Sequence, residues 1–346
     1  MLKEKLRKKE GKGLEKRKVF TWIAWILGAL FLSSVIAVGA ETSWFGFQDL
    51  MDGKGTLWTY RYSTTWDQEE VSVEGLSVSW NHGPVEIVAS GTSMVKVTEY
   101  SPRTLSASEK LKLSSSNGVL RVQWDRSLLP LGILQDRVKR LVIEVPNTVA
   151  AQLLSFSAKT ISGDVTVKGI NAQTLRVDST AGDVTLSNLT GEELRVSSGG
   201  GDIQLDGARA NLLDVSTSGG VTELSRIAAV ECRLSNFSGK VRFSGTGTDL
   251  QVKTVSGPVE LHFSECPQQA EFQSVSGNLS LYLPENSGFE AQYSSVSGQL
   301  SSEFPGQGEQ GLVYGHGGPQ YQFVTTSGNL SLHRAAGTQT AQETIS

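Results

Sequence analysis

A pattern of the form apolar-x-Ser/Thr-x-x-Gly-x-apolar returns about every 19 residues from Ala158 to Leu332, and few folds accept such a sequence. Aligned on its last apolar position it reads Val165, Val184, Ile203, Val221, Val241, Val259, Leu279, Leu300 and Leu330. The first seven are separated by 19, 19, 18, 20, 18 and 20 residues. A unit this short cannot bury an apolar face alone, so the units must stack on one another as near-identical coils.

The columns of the repeat say which way side chains point. One apolar column, including Ala158, Val177, Val196 and Phe272, lies two residues before a small polar column of Thr160, Ser179, Ser198, Thr217, Asn236, Thr254, Ser274, Ser295 and Thr325. A further apolar column follows the turn at Val167, Leu186, Leu205, Phe243, Leu261, Leu281 and Leu332. Alternation at period two places all of these on one face of each strand, the interior. The expected coil is two short strands joined by a Gly-centred turn, with Gly163, Gly182, Gly201, Gly219, Gly239, Gly257, Gly277, Gly298 and Gly328 at the turns. At about 4.8 Å per coil, nine coils make a rod of roughly 40 Å. The polar column is expected to be an internal ladder of hydroxyls bonded to one another, since a buried hydroxyl without a partner costs about 1–3 kcal/mol.

The same template fits Val78, Gly83, Val85 and Ile87, with Trp80 in the polar column, and again Leu113, Ser115, Gly118, Leu120 and Val122. The predicted fold class is therefore all-β, a β-solenoid like a parallel β-helix with about 19 residues per coil, preceded by one transmembrane helix. Its ectodomain is placed at 70–334, with irregular N-terminal coils to about residue 150. The content of 37 Gly, 9 Pro and 38% apolar residues suits this better than a helical enzyme. Residues 128–139 have the composition of a short helix in an inserted loop. Gly306 to Pro319 reads as an irregular Gly-rich insertion, and 335–346 as a disordered polar tail.

Residues 19–40 carry no charge, which is length enough to span a hydrocarbon core of about 30 Å as a helix. The leader 1–18 holds nine basic residues against three acids, so the positive-inside bias keeps it cytoplasmic and exports the rest. The expected location is thus the cell membrane, single-pass, with residues 41–69 as a juxtamembrane linker and the C-terminal domain extracytoplasmic. Val38-Gly39-Ala40 resembles a signal-peptide cleavage site, but the long leader and long apolar run favour a retained anchor. The first 40 residues hold nine of the 31 Lys+Arg and three of the 35 Asp+Glu, leaving 22 basic against 32 acidic residues beyond them. That balance argues against a nucleic-acid partner.

Chemistry is sparse. His82, His262, His316 and His333 lack the spacing of a zinc site or a catalytic triad, and neither a phosphate loop nor a dinucleotide fingerprint occurs in context. No catalytic residue, cofactor site or cofactor is expected. The two cysteines, Cys232 and Cys266, sit at different offsets from their turns, so no bridge is expected, and Cys232 falls in the column of Leu175, Leu194 and Leu213. One metal candidate is Asp164, Asp183 and Asp202, which follow the turn glycine in three successive coils and would stack carboxylates about 5 Å apart, a spacing that can recruit calcium. Aspartate is also simply a good turn residue, and the position becomes Lys240, Pro258 and Asn278 in other coils, so no metal is assigned.

The units Thr160-Ile161-Ser162-Gly163-Asp164-Val165, Val275-Ser276-Gly277-Asn278-Leu279 and Thr326-Ser327-Gly328-Asn329-Leu330 resemble those of the bacterial putative-adhesin family, a domain family that has no assigned function and includes accessory proteins of Gram-positive envelope-stress systems. The resemblance covers about 70–334 and carries no site residues. It implies a non-enzymatic, membrane-anchored interaction module, an adhesin or an envelope-stress accessory subunit, with envelope proteins or cell-surface glycan as partners. The alternative is a carbohydrate-binding or carbohydrate-active β-helix, for which Trp124, Tyr282, Tyr314 and Tyr321 are the candidate exposed rings. A purely structural spacer is the third reading.

Overall fold

The computed structural model describes residues 62–68, 73–124, 139–306, 308 and 311–335, all within the compact unit Leu57–Ser346. The basic leader 1–18, the apolar run 19–40, almost all of the expected short helix at 128–139, and the tail beyond Ala335 lie outside the described residues. Among the described residues no helix is long and apolar enough to cross a membrane.

The unit of the fold is clearest in β8 (Leu153–Ser162) and β9 (Val165–Lys168). Phe156, Ala158 and Thr160 point inward from the first strand, a four-residue turn follows, and Val165 and Val167 point inward from the second. β10 (Ala172–Ala181) pairs with β8 in parallel, Val177 on Ala158 and Ser179 on Thr160. β11 (Val184–Ser198) pairs with β9, Val184 on Val165 and Leu186 on Val167, and its second half pairs with β10. Two parallel stacks of strands, a first and a second sheet, thus enclose one core. β11, β12 (Ile203–Thr217), β13 (Thr222–Asn236) and β14 (Val241–Thr254) each run unbroken from the second sheet of one coil into the first sheet of the next. The bends in β11, β12 and β13 are made by left-handed residues: Asn188 (φ 53°), Gly207 (φ 76°) and Arg226 (φ 54°) stack in one column, and Leu189, Ala208 and Ile227 fill the corner behind them.

The register corrects one coil. Ile203 pairs with Thr222 and Thr222 with Val241, so the inward position is Thr222, 2% exposed, rather than Val221. The turn glycine of that coil is likewise Gly220 rather than Gly219. A Cβ on Gly239 would overlap the Gly220 carbonyl, whereas Gly219 has room. The sequence aligns on the apolar neighbour because the true core position is polar.

Both ends of the stack depart from chain order. In sequence β2 (Gly75–His82) and β3 (Val85–Ser90) come first, yet they lie second, between β8/β9 and the outermost pair β6 (Val119–Trp124) and β7 (Arg140–Pro146). At the other end β21 (Gln320–Thr325) and β22 (Leu330–Arg334), last in the chain, are inserted between β16 (Gln269–Ser274)/β17 (Leu279–Leu283) and the outermost β18 (Gly288–Ser295)/β19 (Leu300–Ser302). Leu279 therefore stacks on Leu330, and Leu330 on Leu300.

Antiparallel strands cover the exposed edges. β5 (Lys112–Ser116) folds back on β6 through Asn117 and Gly118, both with positive φ, a two-residue hairpin turn. This overturns the reading of Leu113 and Ser115 as a coil of the repeat. Their Gly118 belongs to a hairpin, and it is Leu120, Val122 and Trp124 that stack on Leu76, Val78 and Trp80. β4 (Val95–Ser101) lies antiparallel on β7, and β1 (Tyr62–Gln68) on β4, so 62–68 joins the sheet instead of belonging to the expected linker 41–69. β20 (Gly311–Gly315) runs antiparallel on β18, a strand within the segment expected to be irregular. Its glycines make the approach feasible, since a Cβ on Gly311 or Gly315 would overlap the carbonyl of Ala291 or Ser287. The one described helix, α1 (Asn147–Ala150), is a single turn after β7.

Candidate functional site

The interior is occupied by side chains, so the groups that could meet a partner are on the turns, on the outward columns of the two sheets and at the two ends. The turn region uses the polar column differently from the expected hydroxyl ladder. Thr160 Oγ1 does reach Ser179 Oγ at 3.3 Å, but the general pattern is a staple within the turn. Ser198 Oγ donates to the Gly201 carbonyl at 3.2 Å, and Ser274, Ser295 and Thr325 accept from the amides of Gly277, Gly298 and Gly328 at 2.7, 2.7 and 2.9 Å. A short side chain reaches its own turn three residues on more easily than a neighbour a full strand spacing away.

The stacked aspartates also have a backbone partner. The Asp183 amide donates to Asp164 Oδ1 at 3.0 Å, the Asp202 amide to Asp183 Oδ1 at 3.0 Å, and the Val221 amide to Asp202 Oδ1 at 2.7 Å. At the far end Asn278 and Asn329 cap the amides of Asn329 and Gln299 in the same way, each at 2.9 Å. The column is an amide cap passed from coil to coil. Among the described residues no three His, Cys, Asp or Glu side chains converge as a metal site would require.

The outward columns of the first sheet carry crossed charges. Arg176 holds Asp178 at 2.7 Å, Arg195 holds Glu193, and Arg195 also lies 3.7 Å from Asp214. Burial raises the carboxyl of Asp214 above its ordinary value even though Arg195 and Arg233 oppose it.

On the second sheet the C-terminal coils bring together groups far apart in sequence. His262, Tyr282 and His333 occupy one register column. Their rings stack, with centroids 4.0 Å apart between His262 and Tyr282 and 4.7 Å between Tyr282 and His333. Each imidazole is tied to a carboxylate, His262 Nε2 to Glu260 at 3.0 Å and His333 Nδ1 to Glu303 at 2.9 Å. The His262 bond, joined by Lys240, pulls the Glu260 carboxyl down to about 2; His333 likewise lowers that of Glu303. Beside the column Arg334, in register with Leu283, bonds Glu285 at 2.6 Å and lies over the Phe304 ring at 5.1 Å. The Tyr314 hydroxyl donates to the same Glu285 at 3.1 Å.

This cluster revises the list of exposed rings. Trp124 and Tyr321 are buried, at 7% and 1% exposure. Tyr314 packs against Phe289 and Phe304, and Tyr282 has both faces covered by imidazoles. None offers the open ring face on which a sugar would stack. Of the histidines, His262 and His333 are brought together, whereas His82 stands at the other end with Nδ1 2.8 Å from Ser162 Oγ and its basicity lowered by burial. Cys232 is buried in its leucine column and Cys266 is half-buried, and both are free thiols.

A buried ion pair marks the N-terminal end. Lys139 bonds Glu99, with side chains only 4% and 0% exposed. Its ammonium donates to the Glu109 carbonyl at 2.7 Å and lies 4.1 Å from the centroid of Trp124, while Glu99 also accepts the Leu111 amide at 3.2 Å. Nothing in the repeat announces this pair, since both members lie in the irregular N-terminal segments. Its satisfied geometry fits a packing role.

The sequence model described as Toastrack DUF4097 matches residues 73–333, well over half of the chain. Among solved structures the chain is similar to a putative adhesin from Bacteroides fragilis, at 16% identity over 80% of this chain and 98% of that one, with a TM-score of 0.43. It is also similar to a putative lipid binding protein from Parabacteroides distasonis, at 12% identity over 78% and 96%, with a TM-score of 0.46. A putative cell adhesion protein from Clostridium sporogenes follows at 12% identity over 79% and 99%, with a TM-score of 0.23. No curated protein matches the chain significantly.

Proposed function

Because the chain belongs to the Toastrack DUF4097 family, we propose that its solenoid is a non-enzymatic interaction module held at the cell envelope by the apolar segment 19–40, with the stacked coils turned outward as an adhesin or as an accessory subunit of an envelope-stress system. The observation that supports this reading is the contrast between a filled interior and outward columns of charged and aromatic side chains in fixed register, a surface on which many weak contacts can add up. The cluster of His262, Tyr282, His333, Glu303 and Arg334 is the part of that surface best prepared for a partner, since its side chains are already ordered by one another and lose little entropy on binding.

The test is crosslinking and affinity isolation of the full-length chain from native membranes, beside the variants Tyr282→Ala and Arg334→Ala. The reading expects specific envelope proteins or surface material to be retained by the native chain and reduced severalfold with the variants. Retention of nothing, or retention unaffected by either variant, would reject the face chosen here.

A further inference from the structure

β1 is the strand through which the chain enters the described part of the fold, and among the described residues it pairs with β4 alone. All seven of its residues lie antiparallel on that strand, from Tyr62 on Ser101 to Gln68 on Val95. Tyr62, Ser63, Thr65 and Asp67 are exposed, and Trp66 packs only partly against the core. Lys96, directly opposite Asp67, lies 3.5 Å from Glu144 of β7 instead, so charge does little to tie β1 down. The Thr65 and Thr98 hydroxyls meet across the pair at 3.3 Å. β4 is different: Val95, Val97, Thr98 and Glu99 are buried, and its other edge is paired with β7. A strand with so few buried contacts opens at a low local free energy, whereas its neighbour does not.

From β4 the second sheet continues ladder by ladder through β7, β3, β9 and β11 into the later coils, as far as the column of His262, Tyr282 and His333. A pull between Tyr62 and that column runs along the stack and therefore across the strands. Pulling across an antiparallel pair from one end separates its hydrogen bonds one after another, whereas pulling along the strands must break them together. β1 meets tension in the first and weaker geometry, starting at Tyr62 and Ser101. A stop follows at once in the chain. The amides of Glu74 and Gly75 donate to the Gly118 carbonyl at 2.8 and 3.1 Å, and the Glu74 carbonyl accepts from Leu154 at 2.7 Å. Beyond them β2 is paired on both edges, to β6 and to β8. On the reading that 19–40 anchors the chain, we propose that β1 is a load-sensitive latch: tension between the anchor and a partner on the coils peels 62–74 away as far as Gly75 and bares the edge of β4, while the coils stay folded. The bared edge, Val95 to Ser101, is a row of unpaired backbone groups that accepts an added strand, so tension on the anchor opens a binding edge.

The experiment is single-molecule pulling of the full-length chain in detergent, through handles on azide-bearing residues placed at positions 59 and 204, the latter exposed on the second sheet. A first, reversible step is expected below the unfolding force of the coils, with a contour gain of up to about 45 Å for residues 62–74. In Thr65→Cys/Thr98→Cys, whose members face each other across the pair, the step should vanish on oxidation and return on reduction. Without load, hydrogen exchange should release the amides of 62–68 ahead of those of β11 to β13. Unfolding of the coils with no earlier step, a first step that runs past Gly75, a step that survives the disulfide, or exchange of 62–68 no faster than that of β11 to β13 would each overturn the proposal. Neither measurement includes a partner, so failure of the latch and failure of the binding face above are read separately.

Discussion

Thr222 is a polar residue in the apolar column that follows the turn. It stacks between Ile203 and Val241 with its hydroxyl buried and without a hydrogen-bond partner, and a buried hydroxyl in that state costs about 1–3 kcal/mol. Thr222→Val keeps the shape and removes the orphan, so it is expected to stabilise the protein by about 1 kcal/mol, read as a higher urea midpoint at unchanged slope. The adjacent glycines Gly200 and Gly201 make a second residue-scale case. A Cβ on Gly201 would overlap the Gly182 carbonyl, but on Gly200 it meets open space. Gly201→Ala is expected to cost roughly 1–3 kcal/mol as overpacking, with Gly200→Ala near neutral; equal effects in thermal unfolding would refute the stacking of the turns. His82 supplies a pH dependence. Its folded-state pKa lies below the unfolded value near 6.5 because burial disfavours the imidazolium. As pH falls below about 6.5 the unfolded chain takes up the proton first, so stability contributed by neutral His82 is present above that value and lost on acidification. The loss of melting temperature between pH 7 and pH 5 should be smaller in His82→Gln, and an unchanged slope would rule His82 out as its source.

At the scale of the element, the turn and its caps decide how coils follow one another. Each aspartate of the column accepts the amide of the next coil, a contact that asks for an oxygen rather than a charge. Asp183→Asn is therefore expected to be close to neutral, as Asn278 and Asn329 already do the same work, while Asp183→Ala loses about 1 kcal/mol. Added calcium is expected to leave the melting temperature of the native chain unchanged, and a calcium-dependent rise lost in Asp183→Asn would restore the metal reading. The strand-turn-strand unit was legible in the sequence because its alternation and its glycines are local signals. The Asn117-Gly118 hairpin was equally local, but it was absorbed into the repeat because Leu113, Ser115 and Gly118 imitate the repeat's spacing. The coil at Thr222 was misplaced by one residue for the opposite reason, a polar residue in an apolar column.

For the whole molecule, the unexpected feature is that each end of the stack is closed by a coil out of chain order. β21 and β22 are the last strands of the chain, yet both of their edges are paired, to β16 and β17 on one side and to β18 and β19 on the other. Deleting residues 320–335 is thus expected to do more than remove a terminal repeat. It should leave β19 without a neighbour and β18 with only β20, and strip hydrogen-exchange protection from amides of 269–302, and protection retained in that segment would show the outermost coil to be independent. The sequence alone determined the stacked all-β architecture, the inward columns and the family, because these follow from periods of two and of about 19 that every coil restates. It could not determine the order of the terminal coils, since segments such as Val275 to Leu281 and Thr326 to Leu332 carry nearly the same pattern and fit either neighbour. Only the tertiary structure decided that order, through the antiparallel hairpins that cover the edges. With it came the meeting of His262, Tyr282 and His333, a column that exists because β22 lies directly on β17.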